Sequence, residues 1–235
     1  MAFRFKQFIV EDDRSTMRIG TDAILLGAWA DPGQAQSILE IGTGCGVISL
    51  MLAQKSDARI DAIDIDEESI KQASANFRQS PWSEQLHPLQ VSLQDLIAKG
   101  HQKYDLVITN PPYFISSLPS PDAKKNRARH TTNLSRQELL AGMNHFLNDK
   151  GIFLIILPEE ESRKFSVLAE TAGLFIQKQM RVKPKAGKPF NRVLNRFGFQ
   201  PCELPLPEEL VIRNQDNTFT KEYIDFTDAY YFSLR

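Results

Sequence analysis

The 235-residue chain is poor in the groups that hold metals and cross membranes. Its two cysteines, Cys45 and Cys202, lie far apart in no metal-ligand spacing, and its four scattered histidines add no cluster, so no bound metal is expected. No apolar run approaches the roughly 20 residues needed to span a bilayer. Arg4, Lys6, Glu11 and Asp12 interrupt the N-terminal segment before the apolar core of a signal peptide can form. A cytoplasmic protein without membrane contact is expected, and no obligate protein partner is evident. Charge of one sign is lacking too, with 28 Lys and Arg against 29 Asp and Glu. That balance neither selects nor excludes nucleic acid, because binding depends on where positive charge clusters. Gly-Lys-Ser/Thr, the signature of a triphosphate loop, is missing, and a dinucleotide fingerprint would need a third glycine at position 47, where this chain has Val. Neither ATP nor NAD is the expected ligand.

What is present is a glycine turn in a strand–turn–helix setting. Ser37 to Ile41 reads as a strand that runs into Gly42-Thr43-Gly44-Cys45-Gly46 and then the helix Val47 to Gln54. Backbone can approach a ligand closely there, with a helix N-terminus pointing at it. The next strand, Arg59 to Asp64, ends in a carboxylate about twenty residues beyond the glycines, which suits acceptance from ribose hydroxyls. Asp66 reads as the cap of the following helix, Glu67 to Arg78. After a weaker strand over 87–92 comes Asp95, either an acceptor for an adenine amine or a helix cap. Upstream, Thr21 is expected to cap a helix over 21–30; that N-terminus could also bind the charged end of a cofactor. Cys45, a small residue within a tight turn, reads as packing rather than as a nucleophile.

The stretch around which the chain is organised is Asn110-Pro111-Pro112-Tyr113, closing the apolar strand Tyr104 to Thr109. Proline has no N–H for a ladder and restricts the residue before it, so the strand stops abruptly at the end where open α/β sheets bind ligands. The Asn side-chain oxygen and a Pro carbonyl are two acceptors for one planar NH2 group, with the Tyr113 ring free to stack on whatever carries it. A Pro-Pro turn with an exposed aromatic is the plainer reading of the tetrapeptide alone.

The polar stretch 119–133 holds Lys124, Lys125, Arg127, Arg129 and His130, either a solvated loop or a substrate clamp. Ser135 and Glu138 form a capping box for a helix to Leu147, followed by a strand over 151–157 and a helix that starts at Pro158. Strict alternation of strand and helix gives an α/β, doubly wound, mostly parallel sheet. Leu174 to Val182 and Arg192 to Phe199 read as a hairpin adding an antiparallel edge. Lys183, Lys185, Lys188 and Arg192, with Phe190 beside them, face no acid between Glu170 and Glu203. They suit a phosphate-tracking surface with a stacking ring, or lysine protection of a sheet edge. One domain is expected: an N-terminal lid over 1–33, a core over 34–202, and a C-terminal extension over 203–235 ending in an aromatic-rich closing helix.

Read together, Glu40 to Gly46, Asp64, Asp95 and Asn110 to Tyr113 resemble the S-adenosylmethionine-dependent amino-methyltransferases of the Rossmann-like class. The resemblance implies a seven-stranded sheet and S-adenosylmethionine as cofactor. It implies cofactor contacts from Thr21, Glu40, Gly42, Thr43, Gly44, Gly46, Asp64, Asp95 and Asn110, and catalysis at Asn110, Pro111, Pro112 and Tyr113. Phe3 to Phe8, Met17 to Trp29, Lys188 to Leu194 and Phe219 to Tyr223 extend the likeness to the bacterial tRNA(Val) adenine-N6-methyltransferases. That family implies adenosine-37 of a tRNA as substrate. Arg14-Ser15-Thr16 departs from the family pattern, where smaller apolar and cysteine residues are usual. A protein-glutamine methyltransferase, a DNA adenine methyltransferase and a catalytically silent RNA-binding module remain alternatives. The first usually has a helical domain before the glycine turn, the second a larger recognition domain than this tail, and the third no need of an intact Asp64 and Asn110.

Overall fold

The structure is a computed structural model that describes residues 2–15, 17–100, 102–111, 134–203 and 206–232. Pro112, Tyr113, Lys124, Lys125, Arg127, Arg129 and His130 therefore lie outside the described residues.

The chain opens with a hairpin, β1 (Ala2–Arg4) and β2 (Ile9–Glu11), paired antiparallel and separate from the main sheet. Its turn is held by the stacked rings of Phe5 and Phe8, 4.5 Å apart. Helix α1 (Thr21–Trp29) buries every residue from Ala23 to Gly27, which fits a sequence apolar on all sides. Thr21 is not its cap. Gly20, in extended backbone, occupies the N-cap and supplies no side chain, so Thr21 is the first helical residue.

Three βα units follow as β3 (Ser37–Ile41), α2 (Val47–Ala53), β4 (Arg59–Asp64), α3 (Glu67–Arg78), β5 (Leu86–Gln90) and α4 (Leu93–Ala98). Asp66 caps α3 by accepting from Ser69 N at 2.8 Å, with Glu67 and Glu68 in the first turn and Arg78 in the last, each where the helix dipole favours its charge. Ser92 rather than Asp95 caps α4. Asp95 stands three residues on, and its carboxylate accepts from Ser92 Oγ at 2.7 Å. Strand β6 (Tyr104–Thr109) leads to Asn110. Beyond the undescribed stretch come α5 (Arg136–Phe146), with the expected Ser135/Glu138 capping box, then β7 (Leu147–Pro158) and α6 (Glu159–Thr171).

The hairpin of β8 (Phe175–Lys183) and β9 (Arg192–Gly198) inserts β9 antiparallel between β7 and β8. It does not form the edge. An eighth strand, β10 (Glu208–Val211), pairs parallel to β8 outside it, so the order is β10-β8-β9-β7-β6-β3-β4-β5. All strands but β9 run the same way, and their C-terminal ends share one edge of the sheet. Helix α7 (Lys221–Thr227) closes the chain.

Side chains alternate across the strands, as the two-residue period requires. Ile38, Leu106 and Ile108 join the core under α1 and α2, while Leu39 and Val107 join the opposite core with Met143, Phe146 and Phe165 of α5 and α6. Burial on both faces is why these strands read as continuous apolar runs.

Candidate active site

The glycine turn leaves β3 through Gly42, Gly44 and Gly46, all at positive φ. Positive φ strains a side chain at each of them, and at Gly46 there is no room for one besides. Gly46 has φ 85°, and a Cβ there would lie 2.4 Å from the Phe77 ring of α3. Gly44, at φ 55°, turns its N–H onto Asp64 Oδ2 at 2.9 Å. Gly42 N and Thr43 N both donate to Ile63 O, so the turn is fastened to the end of β4. Asp64 Oδ1 accepts from Asp66 N at 3.0 Å. Burial raises the Asp64 carboxyl above its ordinary range against these two donors. Each carboxylate oxygen keeps a lone pair for a further donor.

Glu40, the residue before Ile41 and Gly42, is 1 % exposed. Its Oε2 accepts from Thr43 Oγ1 at 2.8 Å, from Ser49 N at 3.1 Å and from the Ser49 hydroxyl. Its Oε1 is buried and has no partner. Burial pushes the Glu40 carboxyl up to about 7, despite the hydrogen bonds to Ser49 and Thr43 that favour the ionised form.

These groups open onto a cavity of about 690 Å³. Glu40, Gly42, Thr43 and Gly44 line one side, Asn110 and Pro111 another, and Gly20, Thr21 and Asp22 a third. Asn110 is half-buried and Pro111 buried. Thr109 Oγ1 donates to Ile41 O at 2.8 Å, fixing the end of β6 against the end of β3 and so holding Asn110 beside the glycine turn. Among the described residues, the sequence-predicted Thr21, Glu40, Gly42, Thr43, Gly44, Asn110 and Pro111 therefore meet in one space. Gly46 packs on Phe77 instead, Asp64 is reached through Gly44, and Asp95 lies outside the lining.

The cavity also has walls from the expected N-terminal lid and from the C-terminal part, where Pro184, Asn191 and Ile212 carried no sequence signal for such a place and Arg192 was expected to face RNA. Met17, Arg18 and Ile19 cover it from the N-terminal side, and Pro184, Asn191, Arg192 and Ile212 from the C-terminal part. Arg192 Nε donates to Asp22 Oδ2 at 2.8 Å across 170 positions of sequence, a separation at which no local signal exists. Asn76 is a second hidden element. It is buried in α3, donates Nδ2 to Glu11 O and Cys45 O at 2.8 Å each, and accepts from Glu11 N, tying β2 to the glycine turn.

The acid-free basic segment meets acids from elsewhere in the fold. Lys178 pairs with Glu208 at 2.9 Å, Lys183 with Glu209 at 4.0 Å, Arg181 with Glu159, and Arg192 with Asp22. Phe190 is not an open ring either: the Arg181 guanidinium lies 3.9 Å and the Lys183 ammonium 4.3 Å from its centroid. Lys188 is exposed and has no ion pair among the described residues.

A strand-ending glycine turn, an acid at the next strand end and Asn-Pro after a third strand, all on one edge of a doubly wound sheet, define a Rossmann-like methyltransferase. The methyltransferase small domain family matches residues 15–175. The solved predicted O-methyltransferase from Agrobacterium tumefaciens shares the fold, with TM-score 0.67 over 89% of this chain and 96% of that one at 16% identity. Much nearer in sequence is the tRNA1(Val) (adenine(37)-N6)-methyltransferase of Tolumonas auensis, 38% identical over 99% of this chain and 98% of its own. The enzyme of the same name from Phocaeicola vulgatus is 39% identical over the same shares. The chain belongs to the tRNA1(Val) (adenine(37)-N6)-methyltransferase family.

Proposed function

We propose that this protein transfers a methyl group from S-adenosylmethionine to N6 of adenosine-37 in tRNA(Val). The observation that carries the reading is the shared cavity: Asn110 and Pro111 face the same space as the glycine turn and Glu40.

The residues fit the cofactor. Glu40 Oε1, buried and unpartnered, supplies the acceptor that an amino-acid ammonium needs. Asp64 offers its remaining lone pairs to ribose hydroxyls, and the exposed N-terminus of α1 with Thr21 suits a carboxylate. When bound, S-adenosylmethionine supplies an electrophilic methyl on a sulfonium.

The chain's own part is positioning and charge stabilisation. An adenine amine is a weak nucleophile because its lone pair is delocalised into the ring. Asn110 Oδ1 and Pro111 O accept from its two N–H groups and favour positive charge on nitrogen as the N–C bond forms. The surplus proton then leaves to water, and no strong base is needed. Tyr113 supplies a stacking face for the base. In the described part of the chain no helix is long and apolar enough to cross a membrane, and the reading puts the enzyme in the cytoplasm with its tRNA.

The test pairs two measurements. Labelled methyl transfer to total RNA, DNA and release factors, followed by nucleoside mass analysis, is expected to give N6-methyladenosine in tRNA only. Asn110→Ala is expected to lower single-turnover methylation by roughly 10²–10³ while calorimetric cofactor affinity hardly changes. Near wild-type turnover in that variant overturns the mechanism, and methylated DNA or protein overturns the substrate.

A further inference from the structure

Two turns stand on the same sheet edge as Asn110: residues 184–190, between β8 and β9, and residues 212–219, after β10. They are joined to each other. Ala186 N donates to Arg213 O at 2.7 Å, and Lys185 Nζ donates to Asn217 Oδ1 at 2.8 Å. Pro184 and Ile212 at their bases line the cavity, so the joined turns rise from its rim.

The second turn holds one cation over an aromatic ring. Arg213 and Phe219 face each other as an isolated antiparallel bridge, and the Arg213 guanidinium lies 4.0 Å from the centre of the Phe219 ring. Phe219 is stacked in turn on the buried Tyr223, at 5.2 Å and 22°. Arg213 Nη1 donates to Asn217 O at 2.6 Å, and Asn217 takes positive φ to present that carbonyl. The one acid in the turn, Asp216, accepts from Thr218 Oγ1 and Thr218 N, which with the nearby Lys185 charge lowers its carboxyl below the ordinary range. A guanidinium seated over an aromatic ring and tied at Nη1 is fixed in place, and unpaired RNA bases stack on guanidinium planes. Beside it stand Lys185, which bonds the Asn217 amide and lies within reach of the Asp216 charge, and Lys188, which is exposed and has no ion pair among the described residues. Lys178, Arg181, Lys183 and Arg192 are paired with acids, Arg196 lies half-buried within β9, and the Phe190 ring is already covered.

We propose that these joined turns form the RNA-docking wall of the site, with Lys185 and Lys188 on phosphates and Arg213, seated on Phe219, stacking an unpaired base elsewhere in the loop that carries the target. The inference rests on the proposed tRNA activity and adds the surface that carries the rest of the loop. Three strand spacings separate β6 from β8 and four separate it from β10, about 14 and 19 Å at the usual distance between strands. That places the wall beyond the target nucleotide but within a single-stranded loop around it.

The experiment measures equilibrium binding of unmodified tRNA across a salt series, with cofactor affinity and thermal midpoint as controls. Arg213→Gln is expected to weaken tRNA binding about tenfold with cofactor affinity unchanged. Arg213→Lys keeps the charge but not the plane, and is expected to lose nearly as much affinity at an unaltered salt slope. Lys185→Ser with Lys188→Ser is expected to lower the slope of log K against log salt by about 1.4. If wild type binds and methylates tRNA while all three variants bind as it does, the docking wall is wrong and the activity stands. If Arg213→Lys alone binds like wild type, the stacking role is wrong. A wild type that does not bind tRNA overturns the activity and the wall together.

Discussion

Glu40 concentrates the chemistry of the cofactor side in one carboxyl group. Its folded-state pKa, about 7, lies above its ordinary value of 4.5 because burial disfavours the charge. The folded state therefore holds a proton that the unfolded chain releases between those values. This group's contribution to stability is complete below about pH 4.5 and is lost as pH rises through 7. An ammonium beside Oε1 reverses the preference, so cofactor binding near pH 6 should expel a proton. Calorimetry at pH 6 in two buffers of different ionisation enthalpy is expected to show that release in wild type and none in Glu40→Gln. Equal apparent enthalpies in both buffers for wild type would mean that Glu40 already carries its charge. At this scale the sequence was partly legible. The identity of Glu40 marks an acid before a glycine turn, whereas its burial and its unpartnered oxygen depend on Ser49 and α2 folding over it. Arg192 shows the reverse: a residue read as RNA-facing is bonded to Asp22 at the cavity wall.

At the scale of elements, strands and helices with local signals fell where expected, among them β3, β4, β6 and α3. Each of the three strands has its own stop, the glycine turn, an acid before a cap and Asn-Pro, and α3 has its start in the Asp66 cap. Strand β10 had none. Its four residues lie among acids, and only pairing to β8 makes it a strand. The same pairing brings Glu208 and Glu209 against Lys178 and Lys183, so one missed element also explains why the basic segment looked more open than it is. Helix α3 matters more for the site than its amphipathic pattern suggests. Its buried face presents Gln72, which accepts from Arg14 N at 3.2 Å, and Asn76, which holds both β2 and Cys45 O. Asn76→Ala leaves Glu11 and Cys45 backbone groups unsatisfied in a buried place, at a cost of about 1–3 kcal/mol. A lower denaturant midpoint and weaker cofactor binding are expected together. Loss of stability with an unchanged cofactor Kd would show that α3 supports the fold but not the turn.

Over the whole molecule, the two ends of the described chain close on each other. Lys6 N donates to Tyr230 O at 2.8 Å, Phe5 stacks on Tyr231 at 5.7 Å, and the buried Tyr230 hydroxyl donates to Met51 O in α2. Nothing in either segment announces the other, because the pairing is a property of the folded core rather than of a local pattern. The shared direction of every strand but β9 has a practical consequence. The edge opposite the cavity, where β3, β6 and β7 begin, is a mechanical back. There Asp105 gathers Gln36 N, Ser37 N and Asn148 Nδ2, while Asp149 and Lys150 stand exposed in the irregular start of β7, between its pairings at Leu147 and Ile152. A reporter protein inserted between Asp149 and Lys150 should leave turnover and thermal midpoint near those of the parent, since these exposed residues are paired with neither β6 nor β9 and exposed positions of that kind tolerate insertion. A folded insertion variant without methyl transfer would show that the back is not silent. With turnover intact, the enzyme can be tethered there to a surface or a force probe, its working edge turned outward to meet one RNA molecule at a time.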